Sequence, residues 1–117
     1  VRQFDKKNKG PFAMKTITPI ELKKRIDNNN NFVLLDVRET HEVAFAQINP
    51  HTNIPTGSIP VRHQELDKNT SIIVMCHSGG RSTQVCRYLE PLGYDVTNLE
   101  GGIDAWSQRV DPNLPRY

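Results

Sequence analysis

Residues 71–82, Ser-Ile-Ile-Val-Met-Cys-His-Ser-Gly-Gly-Arg-Ser, limit the possible folds of this chain more than any other stretch. Ser71 to Met75 is a short, apolar, β-branched run bounded by polar residues, the pattern of a fully buried strand. Cys76 to Arg81 forms a tight, glycine-bearing loop. Ser82 then opens a run in which Val85, Cys86 and Leu89 fall at helical spacing. Strand, loop and helix start make an anion cradle, because loop amides can turn inward and the helix N-terminus adds partial positive charge. A cysteine placed there is expected to be a thiolate near neutral pH, since the field that binds an anion also stabilises S⁻.

The other segments alternate in the same way. Thr18-Pro19-Ile20-Glu21 reads as a helix start, with Thr18 as N-cap, Pro19 in the first turn and Glu21 completing a capping box. Leu22 and Ile26 share one face of that helix, which Asn28 to Asn31 ends. Phe32 to Asp36 reads as a second buried strand, and Glu39 to Ala46 as a short helix with Val43 and Ala46 inward. Thr56 to Lys68 is a connection holding a short helix around Val61 to Leu66. Pro91-Leu92-Gly93 stops the helix after the cysteine loop. Asp95 to Leu99 is a third strand, and Gly101-Gly102 turns into a last helix carrying Ile103 and Trp106. Alternating strands and helices of these lengths imply parallel pairing and an α/β layer sandwich.

At 117 residues the chain is one domain with room for a single core. Its net charge of +2, from 15 basic and 13 acidic residues, predicts no strong field for nucleic acid or membrane. No apolar run approaches bilayer length and no signal-peptide pattern is present. The two cysteines fit neither a CxxC nor a zinc pattern, and His41, His51 and His63 are scattered without metal-ligand spacing. The expectation is a soluble, cytoplasmic monomer with reduced thiols. Residues 1–15 read as a mobile N-terminal segment or an expression remnant, with Met14 a candidate start. Residues 16–110 read as the domain and 111–117 as a C-terminal tail.

Four ordered pieces resemble the rhodanese family. Cys76, four intervening residues, Arg81 and Ser82 match its active-site loop. Asp36-Val37-Arg38-Glu39 follows a strand as in that family, Asn53-Ile54-Pro55 resembles its "NIP" step, and residues 93–106 resemble its C-terminal signature. The likeness covers about Thr16 to Trp106. The chain departs from the family where Ala46-Gln47-Ile48-Asn49-Pro50-His51-Thr52 stands in place of a Gly-His-Ile step. The resemblance implies a three-layer fold, a small parallel sheet flanked by helices. It also implies sulfur transfer through a persulfide on Cys76, from a small anionic donor such as thiosulfate to cyanide, a cellular thiol or a protein acceptor, with no metal or organic cofactor.

Cys76 is the nucleophile candidate. A free cysteine is most often a small buried hydrophobe, but one at a strand end, in a glycine loop and before a helix is better placed for reaction. Cys86, inside the helix, reads as packing. Arg81 offers a planar fork that suits a two-oxygen anion or a carboxylate holding the loop. Asp36, ending the neighbouring strand, is the expected carboxylate. Arg38 is expected to pair with Glu39 or Glu42. Gly79 and Gly80 permit positive φ so that amides point at the anion, and Ser78 adds a hydroxyl; the expected substrate-binding residues are His77, Ser78, Gly79, Gly80, Ser82, Asp36 and Arg38. His77 is expected to face solvent. Two alternatives remain at this point: a cysteine-dependent phosphatase or arsenate reductase, whose loops place five residues between Cys and Arg, and a non-catalytic interaction or sensor module.

Overall fold

The computed structural model describes residues 14–117; residues 1–13 of the expected mobile segment 1–15 lie outside the described residues, whereas Lys15 is held, its carbonyl accepting from the Asn98 amide at 2.9 Å. The chain runs β1 (Thr16–Ile17), α1 (Pro19–Asp27), β2 (Val33–Asp36), α2 (Thr40–Phe45), β3 (Thr52–Asn53), α3 (Ile59–Arg62), β4 (Ser71–Met75), α4 (Gly80–Leu89), β5 (Asp95–Leu99) and α5 (Gly102–Arg109). Short 3₁₀ turns at Thr56–Ser58 and His63–Glu65 flank α3. The five strands form one sheet in the order β1-β5-β4-β2-β3, and every pairing is parallel.

The three-layer architecture follows from how strand residues alternate. Leu35, Ile72 and Val74 point to one face, where they meet Val85, Cys86 and Leu89 of α4 and Ile59 of α3. Leu34, Ile73 and Met75 point to the other face, against Leu22 of α1 and Ile103 and Trp106 of α5. A parallel sheet covered on both faces needs near-continuous apolar strands, as β4 supplies. Each fully buried aliphatic side chain contributes about 1.5–3 kcal/mol. No helix among the described residues is long and apolar enough to cross a membrane.

The capping box opening α1 is present: the Glu21 amide donates to Thr18 Oγ1 at 3.1 Å and the Thr18 amide to Glu21 Oε1 at 2.9 Å. Two edge strands, β1 and β3, have no sequence counterpart, because two residues carry no periodicity. The helix expected around Val61–Leu66 begins earlier, at Ile59, and ends at Arg62. Ile59 is the residue it buries, whereas Val61 is 81% exposed. Residues 111–117 return to the body of the protein: Leu114 packs on the α1/α5 face and Tyr117 reaches the carboxyl edge of the sheet.

Candidate active site

Cys76 follows the last residue of β4 and continues its alternation, so its side chain turns to the α4 face and is 1% exposed. Two amides converge on its sulfur: Gly79 N–H donates at 3.1 Å and Ser82 N–H at 3.4 Å, with Ser82 Oγ also 3.4 Å away. Burial alone raises the thiol pKa, but the Ser82 hydroxyl and the amides of Ser82, Gly79 and Ser78 outweigh it and hold Cys76 below an ordinary thiol. Cys86 lacks such donors; burial first, then the nearby Glu90, pushes its pKa up to about 12.

The loop can close so tightly because Gly79 sits at φ +115°, a left-handed conformation that a side chain resists. Gly80 is not such a position; it is the first residue of α4, which starts two residues before the expected Ser82. Thr83 locks the turn, its Oγ1 donating to Gly79 O at 2.7 Å. Ser82 is buried, while Ser78 is exposed at the rim. The N-terminus of α5 supports the loop from behind, with Ile103 N–H on Cys76 O and Asp104 N–H on His77 O, both at 3.0 Å. Such closeness requires Gly102, where a Cβ would lie 2.5 Å from the carbonyl oxygens of Cys76 and His77.

The ion pairs differ from the sequence expectation by an exchange of partners. Arg81 pairs with Glu42, Nη1 to Oε1 at 2.7 Å and Nη2 to Oε2 at 2.9 Å, rather than with Asp36. Hydrogen bonding to Arg81 holds the Glu42 carboxyl down at about 2, and the same pair raises the Arg81 pKa. Asp36 takes Arg38 instead, through Nε at 3.0 Å and Nη2 at 2.7 Å. Both side chains are 0% exposed, so neither reaches a substrate, and the substrate-binding role expected of Asp36 and Arg38 becomes one of support. The reason is reach: Arg38, two residues beyond Asp36, folds back inside the β2–α2 loop. There its Nη2 also donates to Ala46 O at 2.7 Å.

Three roles escaped sequence reasoning. Asn53 of the "NIP" step donates to Asp36 O at 2.8 Å and Arg38 O at 3.0 Å, fixing the loop that carries Glu42. Glu42 itself lies in the first turn of α2, where an acid is also a routine helix-dipole residue. Tyr117 has no local signal at all, yet its ring stacks on His77 with centroids 4.2 Å apart. His77 is therefore half-buried under that ring rather than facing solvent.

The family model for the Rhodanese-like domain matches residues 18–109. Among curated proteins, "Putative sulfurtransferase YtwF" of Bacillus subtilis is 38% identical over 99 residues, covering 85% of this chain and 96% of that protein. "Sulfurtransferase" of Allochromatium vinosum is 38% identical over 92 residues, covering 78% and 86%. The crystal structure of a rhodanese-like domain protein from Staphylococcus aureus matches with a TM-score of 0.78 at 36% identity, over 89% of this chain and 99% of that one.

Proposed function

The chain belongs to the rhodanese-like domain family, and from that premise we propose that it is a sulfurtransferase carrying sulfane sulfur as a persulfide on Cys76. The observation that bears the proposal is the sulfur at the focus of the Gly79 and Ser82 amides, held toward the thiolate. Relatives named as sulfurtransferases support the reaction class. The Cys76 thiolate attacks the outer sulfur of a donor such as thiosulfate. A new S–S bond forms, the donor's S–S bond breaks, and its electron pair leaves with sulfite. An acceptor thiolate, or cyanide in an assay, then attacks the outer sulfur and returns the electron pair to Cys76. Loop amides, joined by the charge of Arg81, stabilise the negative sulfur in both steps.

Loop size favours sulfur over phosphorus. Four residues separate Cys76 from Arg81, and the thiol is 1% exposed. A single sulfane atom can arrive end-on through so narrow a mouth. A phosphoryl group must sit inside the ring with three oxygens each meeting donors. Mass spectrometry after thiosulfate treatment should find one added sulfur on the peptide containing Cys76, absent in Cys76→Ser and retained in Cys86→Ser. Aryl phosphate hydrolysis that depends on Cys76, without persulfide formation, would reverse the reading in favour of a phosphatase.

A further inference from the structure

The segment after α5 brings an aromatic side chain onto the loop from outside it. The Tyr117 ring lies over His77 at 4.2 Å and 21° between planes, and meets Phe45 of α2 edge-on at 5.7 Å. Its hydroxyl accepts from Arg38 Nη1 at 2.9 Å and donates to Glu42 Oε2 at 3.0 Å. The preceding residue is fastened as well, with Arg116 Nε donating to Asp104 Oδ1 at 2.9 Å.

The effect falls on Arg81. Both of its terminal nitrogens are engaged by Glu42, which occupies the end-on fork, one of the two edges through which a guanidinium grips an oxyanion in bidentate fashion. Glu42 accepts from Arg81 on both oxygens, while the Tyr117 hydroxyl fixes Oε2 and the Glu39 amide fixes Oε1 at 2.9 Å. An anion approaching Cys76 must compete with a carboxylate held in place on three sides. A neutral reagent meets no such competition.

We propose that Tyr117 is a positioning residue that sets the oxyanion specificity of this site: by holding Glu42 on Arg81, it makes the loop selective for sulfur carriers without an oxyanion group, such as an alkyl persulfide, over donors that present one. The substrate class rests on the sulfur-transfer reading; the masking of Arg81 does not. A direct test alkylates Cys76 with iodoacetamide, which is neutral, and with iodoacetate, its anionic counterpart. Tryptic peptides 69–81 and 82–87 separate Cys76 from Cys86. Tyr117→Phe keeps the ring stack and removes only the hydroxyl. It should raise the iodoacetate-to-iodoacetamide rate ratio at Cys76 by about 3- to 10-fold, the scale of one ordinary net hydrogen bond. Tyr117→Ala should raise the ratio at least as far and also raise both absolute rates, because the ring no longer covers His77. In sulfur transfer, Tyr117→Phe should lower KM for thiosulfate while KM for an alkyl persulfide, which has no oxyanion group, stays unchanged, a split that general loosening of the loop does not produce. A rate ratio that stays the same or falls in Tyr117→Phe overturns the proposal. If no persulfide forms on any of these proteins, the sulfur-transfer reading fails and the alkylation ratio still decides the role of Tyr117.

Discussion

Nine residues separate two buried thiols whose chemistry is opposite. Burial acts on both; what distinguishes them is who donates to the sulfur. Cys76 ends a strand and faces free amides, whereas the amides around Cys86 are already spent on the helix ladder of α4. The pH dependence of alkylation should therefore split in two. Cys76 should react with a midpoint below the ~8.5 of an ordinary thiol, and Cys86 should stay inert until pH approaches about 12. A Cys76 midpoint at or above that of free cysteine, read from the tryptic peptides, would remove the argument for amide stabilisation.

Between elements, the critical approach is that of α5 to the cysteine loop. Its first turn donates amides to the carbonyls of Cys76 and His77, leaving the loop's own amides free to turn toward the sulfur. Gly102 makes the approach possible, at φ +59° and with no room for a methyl group. Gly102→Ala combines left-handed strain of about 1–2 kcal/mol with a clash against backbone that cannot swing aside. The expected loss in urea unfolding is about 2–4 kcal/mol, in the range of overpacked core positions. The surviving folded fraction should show a raised Cys76 alkylation midpoint. A variant with unchanged stability and midpoint would show that the loop does not depend on this contact.

For the whole molecule, a polar network ties distant segments across the carboxyl edge of the sheet: Arg38 after β2, Glu42 in α2, Arg81 in α4 and Tyr117 after α5. Its acid response follows from Glu42, whose carboxyl lies at about 2 in the fold against an ordinary 4.5. A depressed carboxyl contributes stability that is complete above pH about 4.5 and lost as pH falls through about 2. Glu42→Gln should cost about 1–2 kcal/mol at pH 7, below the ~3–5 kcal/mol of a fully buried pair because Arg81 keeps partial contact with water. That gap from the unmodified protein should narrow as pH falls below 4 and close near 2, as read by thermal unfolding across pH. A gap that stays constant over this range would mean that Glu42 acts through shape rather than charge.

Local chemistry alone determined much of this protein. The apolar run of β4, the glycine loop and the capped start of α1 each carry their instruction within a few residues, and alternating elements of those lengths imply a parallel α/β layer sandwich; its three layers came from the family resemblance. The cysteine's place at a strand end was legible for the same reason. Which carboxylate meets which arginine was not. Asp36 and Glu42 both follow β2, and sequence separation does not say that Arg38 folds back onto Asp36 while one turn of α2 carries Glu42 to Arg81. Tyr117 lies 36 residues beyond Arg81, and no local pattern reports its contact with the loop. Partners of long polar side chains depend on the direction of each side chain across a fold already formed. Tertiary structure alone decided these pairings, and with them how far Arg81 is open to a ligand.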